Sequence, residues 1–474
     1  MHTPTKGCTM LLERFYDEDL AQASYFIGCQ AKGEAIVVDA RRDISGYLAL
    51  AAKHGMRIVA VTETHIHADY LSGTRELAAA TGAATYVSGE GGADWQYGFQ
   101  AERLMDKDTI TLGNITVTAR HTPGHTPEHL SFLITDGAFS DQPGYMLSGD
   151  FIFAGDLGRP DLLDEAAGGV DTRFAGARDL FTSLRDVFLK LPDHIQVYPG
   201  HGSGSACGKA LGAVPSTTVG YERNFAWWGR YLANNDEEGF IAELLDGQPD
   251  AHAYFARMKR QNRDGAKVLG TLPELVQFTA QQIIEKTSAQ EAVFVDTRGH
   301  VAVAEGTVAG ALAIPAISKM ASFGAWAFDP QADDRQLILF AENLESAEEM
   351  RDHLMRVGID AVSGYATSLR GLPAFTPPRV DPTELEDFDH ALLLDVRGRG
   401  EFNAGAIPDA KHISGGRALW ALDELPTDGK IVTYCQSGLR NSIVASALRD
   451  AGYDVVELTG SYAGWAAAMN KTNA

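Results

Sequence analysis

The C-terminal part of this 474-residue chain repeats one α/β pattern, and this repeat limits the folds that are open to the chain. Two apolar runs that end in aspartate and arginine match each other, VFVDTRG at 293–299 and LLLDVRG at 392–398. A second matching pair follows in the same order, LILFAENLE at 337–345 and IVTYCQSGL at 431–439. A proline-rich segment, TPPRVDP at 376–382, separates the copies. The sequence therefore predicts two related α/β units in tandem.

The N-terminal part has a different pattern, in which strand-like apolar runs alternate with helical segments. Such alternation indicates an α/β architecture. We expect three domains, with bounds at 1–265, 266–377 and 378–474. The aromatic-rich segment at about 220–265 is predicted to be helical and to form a lid or a bridge to the next domain.

The composition excludes some classes of partner. Acidic residues outnumber basic ones by 63 to 40, which gives a formal net charge of −23. This charge repels phosphate, so we expect neither nucleic acid nor an anionic membrane surface as a partner. The chain shows no apolar run of membrane-spanning length and no signal-peptide pattern. Four scattered cysteines do not make a disulfide framework, so we expect a cytoplasmic protein with free thiols at Cys8, Cys29, Cys207 and Cys435.

Four motifs rich in histidine and aspartate follow apolar runs in the N-terminal part. A single motif of this kind is weak evidence for metal, because an isolated histidine is commonly structural. Four of them, each at the end of a predicted strand, predict a metal centre. The motifs are THIHAD at 64–69, HTPGHTPEH at 121–129, MLSGD at 146–150 and YPGHG at 198–202.

The order of these motifs resembles that of the metallo-β-lactamase superfamily over residues 1–265. This resemblance implies an αβ/βα sandwich with metal at the strand ends. The dinuclear zinc hydrolases of the superfamily complete the first motif as HxHxDH, whereas this chain has Tyr70 at the last position. A phenol replaces imidazole poorly because its pKa is about 10. We therefore expect one metal; the alternative is that Tyr70 is a packing substitution without chemical effect.

Within the superfamily the chain resembles the persulfide dioxygenases, which oxidise glutathione persulfide or a similar low-molecular-weight persulfide to sulfite. By this resemblance the metal ligands are His65, His125 and Asp150. Two histidines and one carboxylate are also the ligand set of non-haem Fe(II) oxygenases, so one Fe(II) per chain is expected, with zinc as the other metal that suits these ligands. The residues expected to orient the ligands are His67, Asp69, Tyr70 and His201.

Two further residues near this site have expected roles. GDLGRPDL at 155–162 resembles the dioxygenase loop that follows the metal aspartate, so Arg159 is expected to meet a substrate carboxylate. Cys207 has two interpretations, a persulfide carrier near the metal or a small buried hydrophobic residue, and the second is favoured because free cysteine usually packs in the interior.

Cys435 lies at the junction between a predicted strand and a predicted helix, in the motif CQSGLR. Backbone N–H groups and the helix dipole favour a thiolate there, and Arg440 adds a cation. The motif, with DVRGRGEF at 395–402 and GAIPDAKHI at 405–413, resembles the rhodanese family. That resemblance implies a doubly wound parallel sheet and a Cys435 persulfide. The loop residues that would bind the anionic donor are Gln436, Ser437 and Gly438, whereas Asp395 and Arg397 are expected to hold the structure together.

The first copy of the repeat has Ala341 at the position of Cys435, and glutamates follow it. Without a thiol there is no nucleophile, and carboxylates repel thiosulfate. We therefore expect a degenerate rhodanese-like domain without catalysis.

These inferences combine into a bifunctional sulfur-metabolism enzyme as the leading hypothesis. It would act on a thiol persulfide, O2 and thiosulfate or sulfite, and we expect a homo-oligomer. One alternative is a dinuclear zinc thioester hydrolase similar to glyoxalase II with accessory rhodanese domains. The other is a non-catalytic sulfur carrier or scaffold.

Overall fold

A computed structural model describes residues 10–165 and 172–472 of the chain. Cys8 therefore lies outside the described residues. The chain divides into two compact units. The first contains the residues up to Ala251 together with Phe255–Thr271, and the second contains His252–Tyr254 and the residues from Leu272 onward.

The first unit contains strands and helices in the alternating order that the sequence predicts. Its strands are β1 (Met10–Asp17), β2 (Gln22–Cys29), β3 (Glu34–Val38), β4 (Arg57–Thr62), β5 (Ala84–Ser88), β6 (Glu102–Leu104), β7 (Thr109–Leu112), β8 (Ile115–His121), β9 (Leu130–Asp136), β10 (Tyr145–Gly149), β11 (Gln196–Pro199) and β12 (Thr217–Thr218). Its helices are α1 (Ser45–Lys53), α2 (Thr74–Thr81), α3 (Leu162–Glu165), α4 (Thr172–Asp186), α5 (Val219–Phe225), α6 (Gly229–Asn234), α7 (Glu237–Leu245) and α8 (Phe255–Asp264).

The twelve strands form two six-stranded sheets, in the orders β1-β2-β3-β4-β5-β6 and β12-β11-β10-β9-β8-β7. Side chains from both sheets form one buried core, which includes Tyr25 and Ile27 of β2 and Phe132 of β9. Alternate residues of β2 point the other way, because side chains alternate along a strand. Phe26 thus packs with α1 and α2 instead. All of β2 is buried because both faces of its sheet are covered.

Helices cover the outer face of the second sheet as well. Leu180 and Leu184 of α4 pack there with Met146 of β10, and Phe240 of α7 joins the same core. The segment predicted to be helical at 220–265 contains α5 to α8. Two sheets face each other with helices on both outer faces, so the predicted αβ/βα sandwich is confirmed.

The second unit contains the repeat. Its strands are β13 (Val276–Gln277), β14 (Ala292–Asp296), β15 (Thr307–Val308), β16 (Leu312–Ala313), β17 (Gln336–Phe340), β18 (Val362–Ala366), β19 (Ala374–Phe375), β20 (Arg379–Val380), β21 (Leu392–Asp395), β22 (Lys411–His412), β23 (Ile431–Tyr434) and β24 (Val455–Leu458). Its helices are α9 (Ala280–Ser288), α10 (His300–Glu305), α11 (Met320–Ala327), α12 (Leu344–Arg356), α13 (Arg399–Ala404), α14 (Leu439–Asp450) and α15 (Ser461–Thr472).

The two copies have the same topology. Their five-stranded sheets have the orders β13-β18-β17-β14-β16 and β20-β24-β23-β21-β22. All neighbouring strands in both sheets are parallel. The predicted parallel-sheet fold is therefore confirmed, and we propose that the two sheets belong to the two domains predicted at 266–377 and 378–474.

Helix α14 of the second copy packs against the first copy. Its Ser446 hydroxyl accepts a hydrogen bond of 2.9 Å from the Ala313 N–H of β16. At the C-terminal end of the helix, Asp450 accepts a hydrogen bond of 3.1 Å from Arg335. Helix α11 of the first copy also contacts α14. Within this unit the first copy therefore holds the helix that follows Cys435.

Across the described residues, none of the helices combines the length and the apolar character needed to cross a membrane.

We predict that Phe132→Ala destabilises the first unit by about 3–5 kcal/mol, because it leaves a cavity between the two sheets. Phe139→Ala is the matched control, since that ring is 70% exposed; its effect is expected to stay within about 0.5 kcal/mol. Urea unfolding of both variants, followed by circular dichroism, measures the difference. Equal losses would show that Phe132 does not lie in a packed core.

Candidate metal centre and cysteine loop

The four histidine and aspartate motifs meet at one edge of the sandwich. His65 follows β4, His125 lies in the loop between β8 and β9, and Asp150 and His201 follow β10 and β11. Strands β10 and β11 are parallel neighbours with Gly149 opposite Pro199, which brings Asp150 and His201 side by side. The sheet topology thus converts distant sequence positions into one cluster.

The three predicted ligands lie together in the interior. The Nε2 atoms of His65 and His125 are 4.0 and 3.5 Å from Asp150 Oδ2. All three side chains are buried, and one potential ligand atom from each lies within 4.8 Å of those of the other two. The cluster offers two nitrogens and one oxygen, which is a ligand set for Fe(II) or Zn(II).

Hydrogen bonds determine which ring nitrogen of each histidine is free. His125 Nδ1 donates to the Arg159 carbonyl oxygen at 2.9 Å. The Thr64 hydroxyl donates to Asp39 Oδ2 and therefore accepts from His65 Nδ1, at 2.9 Å. Burial lowers the pKa of both imidazoles, and for His65 the neighbouring histidines lower it further. Both rings are neutral, with the Nε2 lone pairs directed at the cluster.

The cluster of His65, His125 and Asp150 contains hydrogen-bond acceptors but no donor to satisfy them, and a bound cation would take the place of that donor. Both carboxylate oxygens of Asp150 are buried without a hydrogen-bond partner in the described part of the chain. Two imidazole lone pairs face the same carboxylate. Buried acceptors without donors are costly, and a metal ion is the group that satisfies all three.

His201 connects this cluster to a second group that contains Asp69 and Cys207. His201 Nε2 is 3.5 Å from Asp69 Oδ2 and 3.5 Å from Asp150 Oδ2, and its Nδ1 donates to the Ala21 carbonyl oxygen. Potential ligand atoms of Asp69, His201 and Cys207 lie within 4.8 Å of one another. Burial, followed by the charges of Asp150 and Asp69, raises the pKa of the Cys207 thiol well above its usual value.

His67 and Tyr70 belong to a buried network behind the cluster. Burial, the largest single effect, lowers the pKa of His67, but Asp39, 3.0 Å from its Nε2, acts together with Asp69 and Glu63 and raises that pKa to about 9. The Tyr70 hydroxyl donates to the Asp39 carbonyl oxygen and accepts from Gln22 Nε2. The rings of His67 and Tyr70 are in contact, with centroids 4.6 Å apart. The Tyr70 hydroxyl is therefore already hydrogen-bonded to buried groups of the protein, Asp39 and Gln22.

Two residues of this site were missed by the sequence analysis, Asp39 and His129. Asp39 Oδ1 accepts the Thr64 N–H at 2.7 Å and also binds His67. His129 Nε2 accepts the backbone N–H of Asp150 at 3.1 Å. A signal existed for both: Asp39 ends the apolar run EAIVVD at 34–39, and His129 is the last residue of the second motif.

Two glycines of the motifs make room for these side chains. A Cβ at Gly200 would lie 2.6 Å from Asp150 Oδ1. A Cβ at Gly149, which has φ of +51°, would lie 2.7 Å from His129 Nε2. Only glycine fits at both positions.

Arg159 has a different environment from the one expected. The side chain is 1% exposed, and its Nε donates to Asp161 at 2.8 Å. Its Nη1 donates to the carbonyl oxygens of Ala206 and Pro249. Because these protein acceptors occupy the guanidinium, Arg159 braces the surrounding loops, and its predicted contact with a substrate carboxylate has no support from the geometry.

The Cys435 loop has the geometry expected for an anion-binding turn. Cys435 follows β23, and the Gly438 N–H donates to its Sγ at 3.1 Å. Gly438 has φ of +113° and precedes the first turn of α14. Gln436 and Ser437 are exposed. The N–H group and the positive end of the helix dipole stabilise negative charge on the sulfur.

The arginines near this loop already have carboxylate partners. Arg440 makes two hydrogen bonds to Glu401, of 2.6 and 2.8 Å. The predicted role of Arg440 as an additional cation near Cys435 stays a prediction, and the structure adds that Glu401 pairs with the same guanidinium. Buried Arg397 pairs with Asp395, in agreement with its expected structural role.

The first copy keeps the framework of the second without the thiol. Arg298 pairs with Asp296 at 2.9 and 2.6 Å, as Arg397 does with Asp395. Ala341 is buried directly after β17, where the second copy has Cys435. The side chains that follow it include exposed Glu342 and Glu345.

Comparisons with known proteins identify a family for each part of the chain. The sequence profile of the metallo-beta-lactamase superfamily matches residues 17–201, and that of the rhodanese-like domain matches residues 382–468. A crystal structure of a metallo-beta-lactamase from Staphylococcus aureus subsp. aureus COL is 35% identical, with a TM-score of 0.64, over 75% of this chain and 98% of that one.

Two curated relatives match the first unit. A mitochondrial persulfide dioxygenase, ETHE1 of Bos taurus, is 27% identical over 41% of this chain and 69% of the relative. A probable metallo-hydrolase of Burkholderia pseudomallei (strain 1710b) is 29% identical over 31% of this chain, and the match spans 60% of that relative. The chain therefore belongs to the metallo-beta-lactamase superfamily and carries a C-terminal rhodanese-like domain.

Proposed function

We propose that the first unit is a persulfide dioxygenase with one iron(II) per chain and that the second unit contains a rhodanese sulfurtransferase. In the first reaction a thiol persulfide, O2 and water give thiol, sulfite and two protons. In the second, Cys435 carries sulfane sulfur as a persulfide. The similarity to the ETHE1 persulfide dioxygenases and the rhodanese-like domain support sulfur chemistry in both units.

The observation that carries the dioxygenase proposal is the buried cluster of His65, His125 and Asp150. It presents two neutral imidazoles and a carboxylate that has no hydrogen-bond partner in the described part of the chain. Such a facial set leaves positions open for substrate and O2. An iron(II) ion held there would supply activation of O2 and a Lewis acid for the persulfide sulfur.

The surrounding residues of the chain prepare this set. The Arg159 carbonyl oxygen and the Thr64 hydroxyl hold the two imidazoles with Nε2 directed inward. His129 fixes the backbone of Asp150. Such supporting hydrogen bonds orient ligands and tune a metal.

A dinuclear zinc hydrolase is not favoured. Position 70 would have to supply a ligand to the second metal, but the Tyr70 hydroxyl is bonded to Asp39 and Gln22. Elemental analysis of protein purified anaerobically separates the two functions. One iron per chain supports the dioxygenase, whereas two zinc ions per chain would support the hydrolase.

For the second unit, the proposed step begins with attack of the Cys435 thiolate on the sulfane sulfur of thiosulfate. The S–S bond of thiosulfate breaks, sulfite leaves with the bonding electrons, and a Cys435 persulfide remains. The Gly438 N–H and the start of α14 stabilise the charge on sulfur. In the reverse direction, sulfite made by the dioxygenase is the acceptor that gives thiosulfate.

We predict that Asp150→Ala and His125→Ala each remove metal binding and persulfide-dependent O2 uptake while thiosulfate:cyanide sulfurtransfer persists. Changing a residue that only supports a ligand costs about 10–100-fold in metal affinity, so loss of a ligand is expected to cost more than about 100-fold. Metal content and O2 uptake are measured on the full chain. His194→Ala, at an exposed histidine, is the control. Loss of both activities in a folded variant would contradict separate sites.

We predict that Cys435→Ser lowers sulfurtransfer by at least about 1,000-fold, because the alcohol is neither a thiolate nor able to hold a stable S–S bond. O2 uptake with a persulfide is expected to persist. Cys29→Ser is the matched control, since the buried Cys29 thiol bonds to Asn114 elsewhere in the first unit. Adding Ala341→Cys to the Cys435→Ser variant should not restore transfer, because Glu342 and Glu345 repel the donor. Appreciable transfer by Cys435→Ser alone would overturn the assignment and direct attention to Cys207.

A further inference from the structure

The first copy of the repeat places a histidine against the Cys435 loop. A Cβ built on Gly438 would lie 3.1 Å from Cδ2 and 3.6 Å from Nε2 of His300. His300 is the first residue of α10, and α10 contacts α14. The same Gly438 donates its N–H to Cys435 Sγ. One glycine therefore lies close to both the nucleophile and an imidazole of the degenerate copy.

Contacts between the first copy and α14 hold α10, and with it His300, beside the Cys435 loop. The first copy meets this helix near its start through α10, in its second half at Ser446 and at its end at Asp450. The imidazole is half-buried, and in the described part of the chain it makes no hydrogen bond or ion pair. Its Nε2 is therefore available to a ligand of the loop.

To bind an anionic sulfur compound, the Cys435 loop also needs a side chain that donates hydrogen bonds. Thiosulfate has two negative charges, and hydrogen bonds to charged groups are the stronger ones. Arg440 is paired with Glu401, and Arg397 is paired with Asp395. Both charges are therefore balanced by carboxylates, and the imidazole next to Gly438 is a side-chain donor without such a partner.

We propose that His300 of the degenerate copy binds the sulfonate end of the anionic sulfur donor at the Cys435 loop. This inference rests on the proposed sulfurtransferase function and adds a specificity-determining residue to it. His300 Nε2 donates a hydrogen bond to a sulfonate oxygen, while the sulfane sulfur faces Cys435. The copy without a thiol thus contributes to donor binding in the copy that has one.

The first test is steady-state sulfurtransfer by the full chain, with thiosulfate as donor and cyanide as acceptor. His300→Ala is expected to raise KM for thiosulfate by about tenfold or more and to change kcat by less than about twofold, because a hydrogen bond to a charged group is lost. His300→Gln keeps an N–H near the Nε2 position and is expected to recover part of the loss. Val301→Ala, at the exposed next residue of α10, is the control.

The second test measures the reactivity of the Cys435 thiol directly and does not depend on sulfurtransferase activity. Alkylation of Cys435 by anionic iodoacetate and by neutral iodoacetamide is followed by mass spectrometry of its peptide. His300→Ala is expected to lower the iodoacetate rate relative to the iodoacetamide rate by severalfold. A merely structural effect would change both rates equally.

The two tests distinguish failure of the His300 proposal from failure of the proposed sulfurtransferase function. An unchanged KM together with an unchanged rate ratio in His300→Ala overturns the role of His300, as does an equal rise of KM in Val301→Ala. A wild-type chain without sulfurtransfer would reject the proposed function, and the alkylation ratio would still decide whether His300 attracts an anion to the loop.

Discussion

The metal centre depends on the buried carboxylate of Asp39. Its Oδ1 binds the Thr64 N–H and His67, and its Oδ2 accepts the Thr64 hydroxyl. Because that hydroxyl proton is used by Asp39, the Thr64 oxygen has to accept from His65 Nδ1. Asp39 thus holds the loop after β4 and also determines that the free lone pair of His65 lies on Nε2. Its own backbone has φ of +56°, a conformation that non-glycine residues rarely adopt.

The main features of the fold and the convergence of the motifs follow from local sequence patterns. Asp150 and His201 follow neighbouring strands of one sheet, and His65 follows β4 of the other sheet, so the motifs meet where the strand ends of the two sheets lie together. The repeat likewise predicts two sheets of one topology and the missing nucleophile at Ala341. Asp39 was missed because a single aspartate after an apolar run is common, and its importance appears only when β3 is known to lie beside β4.

The roles of the arginines show where sequence patterns stop being informative. A motif identifies a cation, but the partner of that cation depends on tertiary structure. Glu401 is 39 residues from Arg440 in the chain, and the Pro249 carbonyl is 90 residues from Arg159. Both guanidinium groups bind groups of the protein, and neither of these partners could be read from residue type. The buried Arg397–Asp395 pair was easier to anticipate, because its members are two residues apart.

Helix α14 belongs by sequence to the copy with the thiol and by packing to both copies. A duplicated domain that loses its nucleophile is ordinarily free to accumulate changes or to disappear. Here the loss of that domain would uncover α14 where α10 and α11 contact it and would remove the partners of Ser446 and Asp450. The two copies are therefore not interchangeable modules, because a fragment with only the thiol-bearing copy would lack part of the support of its own helix α14.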